Sequence, residues 1–77
     1  MTQKLYLYST THCHLCELAQ SLLDDSTACL VEVIEIAYDE CLVIKYGTRI
    51  PVIKRQDTQA ELDWPFNLGD IMQFLQN

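Results

Sequence analysis

The chain has 77 residues and a formal charge of −6, because eleven Asp and Glu outnumber five Lys and Arg. A chain of this length predicts one domain, spanning residues 1–77, with a small core. Its 49% of hydrophobic residues and its two Gly and two Pro exclude collagen-like, low-complexity and disordered proteins. Its acidity argues against nucleic-acid binding, which needs a positive field.

Residues 1–8 contain no apolar signal-peptide core, and no apolar run approaches the ~20 residues of a membrane helix. We therefore expect a cytoplasmic protein that does not associate with membranes and whose thiols are mostly reduced. Four cysteines occur: Cys13, Cys16, Cys29 and Cys41. In a reducing compartment, a close pair of cysteines indicates metal or redox chemistry rather than a structural crosslink.

The first half of the chain alternates between strand and helix patterns. Residues 4–8 are aromatic and aliphatic and predict a strand. Residues 29–36 are largely β-branched and predict a second strand. The segment between them, residues 13–25, predicts a helix because its apolar residues fall on one face: Leu15, Ala19, Leu22 and Leu23.

A short second helix is predicted to end at Tyr46. Asp39 and Glu40 supply the negative charge that favours its N-terminus. Gly47 follows its last turn as a plausible C-terminal cap.

The remaining residues predict a hairpin and a last helix. Pro51 cannot donate to a strand ladder and therefore opens a third strand, residues 51–55. Residues 56–57 predict a tight turn into a fourth strand at 58–62. Asn67 is a good N-cap for a final helix whose apolar face carries Leu68, Ile71, Met72 and Leu75.

The element order is therefore β-α-β-α-β-β-α, which predicts an α/β fold. Two adjacent βα units favour parallel pairing of the first two strands, and the final hairpin adds antiparallel pairing. The expected result is a four-stranded mixed sheet flanked by three helices.

The cysteine pair Cys13-x-x-Cys16 lies where the first strand passes into the first helix. Residues three apart on a helix have Cβ atoms about 5–6 Å apart, so the pair can close into a disulfide with little backbone movement. Cys13 falls in the first turn, whose unpaired N–H groups and dipole favour a thiolate. We therefore predict that Cys13 is the nucleophile and that Cys16, which is partly covered, is the resolving thiol.

Other interpretations of these residues stay open. The pair could be two ordinary buried cysteines, or it could bind zinc together with His12 and His14. Zinc is disfavoured because His14 is turned about 100° from Cys13 on a helix, and we predict no metal site. His14 is expected to be neutral and exposed and to tune the redox potential, whereas His12 could be a solvated loop residue. Cys29 and Cys41 are predicted to be small buried apolar residues, with a disulfide between them as a minor alternative.

This element order, the placement of the cysteine pair and the run Arg49-Ile50-Pro51-Val52 together resemble the thioredoxin superfamily. The chain looks like a glutaredoxin and is similar to short glutaredoxin-like proteins with a C-terminal Trp64-Pro65-Phe66 segment. The resemblance spans essentially the whole chain. It implies that Pro51 is a cis-proline facing the cysteine pair and that the backbone of Ile50 pairs with an extended substrate.

The sequence departs from glutaredoxins at the residues that contact glutathione. His14 stands where they usually have Pro, Thr10 stands where they usually have Lys, and no Gly-Gly precedes the last helix. The backbone N–H groups of Asn67 and Leu68 could still bind a carboxylate. A basic cluster beside Pro51 could attract anionic glutathione or could be a solvated edge; its members are Lys45, Arg49, Lys54 and Arg55.

These observations predict a glutaredoxin-like thiol–disulfide oxidoreductase for protein disulfides or glutathione mixed disulfides, acting in cell redox homeostasis. Cys13 and Cys16 are the predicted catalytic residues. Trp64 could lie at the rim of the substrate groove, or it could be covered together with Phe66 in the core. The predicted substrate-binding residues are His14, Arg49, Ile50, Pro51, Trp64, Asn67 and Leu68.

No bound cofactor is expected, glutathione is a candidate co-substrate, and either glutathione or a reductase would supply electrons to a monomeric protein. Two rival functions stay open. In the first, the protein carries an iron–sulfur cluster held by Cys13 and glutathione across a dimer. In the second, it is a redox-inert binding domain that has kept the fold.

Overall fold

The computed structural model describes residues 3–26 and 30–76. Its strands form one sheet in the order β2-β1-β3-β4, in which β1 and β2 are parallel and the other pairs are antiparallel. This arrangement confirms the predicted α/β fold with a mixed four-stranded sheet and three helices. The elements are β1 (Lys4–Ser9), α1 (His14–Ser26), β2 (Leu30–Glu35), a 3₁₀ helix (Ile36–Tyr38), α2 (Glu40–Tyr46), β3 (Val52–Arg55), β4 (Glu61–Asp63) and α3 (Leu68–Gln76).

The final hairpin differs most from the sequence prediction. The predicted tight turn at residues 56–57 is wrong, because the connection between β3 and β4 spans residues 56–60. Arg55 is buried, and its guanidinium donates two hydrogen bonds, of 2.9 and 2.7 Å, to the carboxylate of Asp57. Gln59 adopts a left-handed φ of 63°. The ion pair and this left-handed residue widen the turn and delay the start of β4.

Side chains alternate between the two faces of the sheet along each strand, so both faces carry apolar residues, and helices cover both. On one face, α1 and α3 cover a core cluster of Leu5, Leu7, Ala19, Leu23, Ile53, Phe66 and Ile71. On the other face, the 3₁₀ helix and α2 cover a smaller cluster of Tyr8, Ile36, Tyr46 and Val52.

The buried faces of α1 and α3 are rotated from the predicted ones. Leu15 was expected to face the core but remains 42% exposed. Adjacent residues on a helix point about 100° apart, so only one of Leu15 and its neighbour can face the sheet. The positions of α1 that do so are Cys16, Ala19 and Leu23. In α3, Leu68 and Met72 are exposed, and the inward positions are Ile71, Phe74 and Leu75.

The prediction that Cys41 is a buried apolar residue is wrong. Cys41 is exposed in the first turn of α2, because this helix turns Tyr46 toward the sheet instead. Asp39 caps α2 as predicted, since its carboxylate accepts hydrogen bonds from the N–H groups of Cys41 and Leu42. The predicted burial of Cys29 lies outside the described residues.

Two further sequence predictions concern Gly47 and the aromatic residues that precede α3. Gly47 ends α2 at the C-cap itself rather than one residue beyond it as predicted; its φ of −54° is right-handed, and its N–H donates to the carbonyl of Val43. Phe66 is buried, Trp64 is half-buried against the core cluster under α1 and α3, and their rings meet edge to face with centroids 5.0 Å apart.

Among the described residues, no helix is long and apolar enough to span a bilayer.

The rotated face of α1 can be tested with a pair of leucine substitutions. Leu23 is fully buried, so Leu23→Ala should lower the free energy of unfolding by roughly 2–5 kcal/mol. Leu18 lies on the same helix but is 42% exposed, and Leu18→Ala should cost about 0.5 kcal/mol or less. Urea denaturation followed by circular dichroism measures both values. Equal losses in the two variants would contradict the assigned face.

Candidate active site

Cys13 is the residue that caps the N-terminus of α1. Its carbonyl accepts a hydrogen bond of 3.1 Å from the N–H of Glu17, and its Sγ accepts one of 3.2 Å from the N–H of Cys16. These are the two bonds of an N-cap residue, with sulfur in the place of the usual side-chain oxygen. A backbone donor and the positive end of the helix therefore face Cys13 Sγ, which stabilises negative charge on that sulfur.

The two cysteines differ in their access to solvent. They form a disulfide, with their Cα atoms 5.2 Å apart. Cys13 is half-buried, whereas Cys16 is only 5% exposed on the core side of α1. An incoming disulfide can therefore reach Cys13 more readily than Cys16.

Glu35, which the sequence analysis did not single out, holds the loop that precedes the cysteine pair. Its Oε1 accepts a hydrogen bond of 2.9 Å from the N–H of Thr11, and its Oε2 accepts one of 3.0 Å from the N–H of Ala37. The bond from Ala37 and then those from the Thr10 side chain and Thr11 lower the pKa of the Glu35 carboxyl below its usual value. The sequence shows only a carboxylate near the end of the predicted second strand. The structure pairs this residue in parallel register with Ser9, which brings it close to the loop before Cys13.

The two histidines lie on either side of Cys13. His12 has a φ of 61°, a left-handed conformation that is uncommon for residues other than Gly, although Asn, Asp and His adopt it more often than most. His14 is exposed, as predicted, and its Nδ1 lies 3.7 Å from a carboxylate oxygen of Glu17. Within residues 3–26 and 30–76, no three His, Cys, Asp or Glu side chains converge on a potential metal site.

Pro51 is fully buried, and its peptide bond with Ile50 is cis, as the family resemblance implied. The Pro51 carbonyl accepts a hydrogen bond of 3.1 Å from the N–H of Trp64, so the proline loop is joined to the segment after β4. The N–H of Ile50 donates to the carbonyl of Tyr46 at 3.0 Å. The N–H of Ile50 is therefore already engaged. Its carbonyl has no hydrogen-bond partner among the described residues, so the expected pairing with an extended substrate falls to that carbonyl.

Arg49 joins the proline loop to β4 rather than facing open solvent. Its guanidinium donates hydrogen bonds of 2.9 and 2.8 Å to Asp63 and one of 2.7 Å to Glu61. The hydroxyl of Tyr46 donates to the other carboxylate oxygen of Glu61 at 2.6 Å. The Tyr46 ring stacks on Tyr8, with centroids 4.2 Å apart. We call these side chains the Arg49 network: Tyr46, Arg49, Glu61 and Asp63.

The titration of the Arg49 network follows from these contacts. Hydrogen bonds from Arg49 lower the pKa of the Asp63 carboxyl. Burial alone would raise the pKa of Glu61, but hydrogen bonds from Tyr46 and Arg49 outweigh it and lower that pKa. Burial and the bond to Glu61 raise the pKa of Tyr46 well above that of a free tyrosine. At neutral pH, both carboxylates are therefore ionised, and Nε and Nη2 of Arg49 are engaged with them.

The rest of the basic cluster is also largely neutralised by nearby carboxylates. Lys45 Nζ lies 3.8 Å from Glu61, and Arg55 is buried against Asp57. Lys54 is the one member of the cluster that forms no ion pair with the described residues. The cluster therefore offers an anionic ligand far less charge than its sequence suggests.

The N-terminus of α3 is capped by its own side chains. Asn67 Oδ1 accepts a hydrogen bond of 2.9 Å from the N–H of Asp70, and Asp70 Oδ2 accepts one of 3.0 Å from the N–H of Asn67. The predicted N-cap role of Asn67 is thus confirmed. The Asp70 carboxylate occupies the N–H of Asn67, so a ligand carboxylate would have to displace it there; carboxylate binding by the N–H groups of Asn67 and Leu68 stays a prediction.

Comparisons with known proteins agree with the fold and the cysteine pair. Residues 4–76 match the family model described as "Glutaredoxin-like domain (DUF836)". The crystal structure of the structural-genomics target XcR50 from X. campestris is 35% identical with a TM-score of 0.87, over 94% of this chain and 95% of that chain. Its solution structure has a TM-score of 0.83 at 35% identity, over 94% and 91% of the two chains.

A third structure extends the similarity to another organism. The solution structure of protein Ne2328 from Nitrosomonas europaea is 28% identical with a TM-score of 0.76, over 96% of this chain and 92% of that chain. No curated protein sequence matches the chain significantly.

The Arg49 network predicts a loss of stability in acid. Because the carboxyls of Glu61 and Asp63 have lowered pKa values in the folded protein, the unfolded chain takes up protons first as the pH falls below about 4. Asp63→Asn should therefore lower the free energy of unfolding at neutral pH and flatten its decline in acid. Urea denaturation at about pH 7 and about pH 3 measures the difference.

Asp25→Asn is the matched control for this experiment. It removes the same charge from an exposed carboxylate that makes no side-chain hydrogen bond or ion pair with the described residues. An Asp63→Asn variant with the same acid profile as Asp25→Asn would show that the network does not stabilise the fold.

Proposed function

Because the chain belongs to the glutaredoxin-like domain family, we propose that it is a thiol–disulfide oxidoreductase that uses Cys13 and Cys16. The observation that carries the proposal is the hydrogen bond of 3.2 Å from the N–H of Cys16 to Cys13 Sγ at the start of α1. This donor favours a thiolate, the form of cysteine that attacks disulfides. The half-buried Cys13 is accessible enough for attack, and Cys16 needs only to reach Cys13.

In the proposed reaction, the Cys13 thiolate attacks one sulfur of a substrate disulfide. A bond forms between Cys13 Sγ and that sulfur, the substrate disulfide breaks, and the leaving thiolate takes a proton from water. Cys16 then loses its proton and attacks Cys13 Sγ, which releases the second substrate thiol. The substrate gains two electrons, and the protein is left with the Cys13–Cys16 disulfide.

We propose protein disulfides as the main substrates and glutathione mixed disulfides as weak ones. Glutathione carries two carboxylates, and two of the groups expected to bind them have internal partners: Arg49 is held by β4 through Nε and Nη2, and the N–H of Asn67 is held by Asp70. An extended peptide needs instead a backbone partner, which the carbonyl of Ile50 can supply. The engagement of Arg49 and of the Asn67 N–H also weighs against a glutathione-bridged iron–sulfur cluster on Cys13.

An external thiol must reduce the Cys13–Cys16 disulfide after each turnover. We propose that glutathione, as a co-substrate, or a dithiol reductase supplies these two electrons. The proposed setting is the cytoplasm, where such reductants keep thiols reduced, and the proposed acting species is the monomer. Reduction potential selects the direction of the exchange.

Single cysteine substitutions test the roles of the pair. Cys13→Ser should abolish the reduction of a protein disulfide, because among the described cysteines only Cys13 lies at a helix N-cap beside a partner thiol. Cys16→Ser should stop turnover and accumulate a mixed disulfide between Cys13 and the substrate, which mass spectrometry detects. Cys41→Ser changes an exposed thiol away from the pair and should keep full activity. Activity in Cys13→Ser, or none in the unmodified protein, would overturn the proposal.

Substrate preference is tested by assaying a disulfide-bonded protein and a glutathionylated peptide side by side. We expect kcat/KM for the glutathionylated peptide to be at least about tenfold lower, which corresponds to about 1.4 kcal/mol of transition-state binding. Comparable values for the two substrates would contradict the proposed preference while leaving the roles of Cys13 and Cys16 intact.

A further inference from the structure

Glu35 connects two segments that meet beside the cysteine pair. It is the last residue of β2, and parallel pairing sets it opposite Ser9 at the end of β1. From there, one carboxylate oxygen binds the N–H of Thr11 and the other binds the N–H of Ala37 at the start of the 3₁₀ helix. The side chain of Thr10 forms a further hydrogen bond to Glu35. Glu35, a residue of the sheet, thereby holds the loop of residues 10–12 through hydrogen bonds to Thr10 and Thr11.

The loop needs such an external restraint because of His12. Its φ of 61° is a left-handed conformation, which a residue with a Cβ adopts less readily than the right-handed one. Thr11 is held by Glu35 on one side of His12, and Cys13 is held by its two capping bonds on the other side. If the bond to Thr11 is removed, His12 can relax to a negative φ and withdraw Cys13 from the start of α1.

We propose that Glu35 is a positioning residue that keeps Cys13 at the N-cap of α1 by holding the left-handed loop before it. The proposal rests on the proposed function only in taking Cys13 as the nucleophile. Glu35 does not touch the reacting sulfur in this arrangement and acts through Thr10, Thr11 and His12. Its effect on Cys13 is to preserve the hydrogen bond that the N–H of Cys16 donates to the sulfur.

When Glu35 is substituted, the positioning role and a simple charge effect predict opposite changes in the pKa of the Cys13 thiol. A nearby carboxylate disfavours a thiolate by repulsion, so removing its charge alone lowers the pKa of the thiol. Loss of positioning removes a hydrogen bond to the thiolate and raises that pKa. A residue that only stabilises the fold would leave the thiol pKa unchanged when it is substituted.

The test measures the pH dependence of iodoacetamide alkylation of reduced Cys13, with the Cys13 peptide quantified by mass spectrometry. Glu35→Ala should raise the pKa of the Cys13 thiol by at least about half a unit, which lowers its alkylation rate at about pH 7 roughly threefold. Glu35→Gln keeps one acceptor oxygen and should show a smaller rise. The measurement needs no substrate, so its outcome is independent of whether the proposed oxidoreductase activity is found.

Two further variants complete the design. Glu32→Ala removes the same charge from the same strand, where Glu32 pairs with Lys4 at 3.1 Å, and should leave the Cys13 thiol unchanged. Thr10→Val removes one donor to Glu35 without changing any charge and should raise the thiol pKa slightly; it also serves if Glu35→Ala fails to fold. An unchanged or lowered thiol pKa in Glu35→Gln and Thr10→Val would overturn the proposal.

Discussion

A single sulfur atom performs two tasks at the junction of β1 and α1. The N–H groups at the start of a helix need an acceptor, and Cys13 Sγ supplies it to the N–H of Cys16. Sulfur is a weak acceptor when it is neutral and a stronger one as a thiolate. The charge that makes Cys13 reactive therefore also improves the cap of α1, so the local backbone favours the reactive form of the residue.

The remainder of the fold fixes the orientation of this junction. Cys16 faces the core with Ala19 and Leu23, so the rotation of α1 about its axis is set by burial against the sheet. Parallel pairing of β1 with β2 brings Glu35 to the same edge as the loop before Cys13. Cys13, the proposed nucleophile, thus lies between a helix fixed by apolar packing and a loop fixed by hydrogen bonds.

Local sequence signals account for most of the elements and for the cysteine pair. Strand and helix periods depend on residues a few positions apart, and the caps at Asp39 and Asn67 depend on partners within three residues. The predictions fail where contacts between residues distant in sequence determine which side chains are buried. Whether Leu15 or Cys16 faces the core is determined by packing against the sheet, which the helical period alone cannot show.

The unpredicted part of the site has the same origin. Glu35 meets Thr11 across 24 positions of sequence, and Arg49 meets Asp63 across 14. The sequence shows these residues only as isolated charges, so Arg49 was assigned to an anionic ligand rather than to β4. Nothing local distinguishes a basic residue that binds a substrate from one that closes a loop.

This use of the basic residues bears on substrate selection. Nε and Nη2 of Arg49 already hold Asp63 and Glu61, so an anionic substrate would have to compete with these carboxylates for those donors. In the proposed function, recognition near Pro51 uses the carbonyl of Ile50, which has no hydrogen-bond partner among the described residues. A carbonyl selects for N–H donors, which an extended polypeptide presents along its backbone and a carboxylate lacks. The internal pairing of Lys45, Arg49 and Arg55 thus supports the proposed preference for peptide substrates over small anionic thiols.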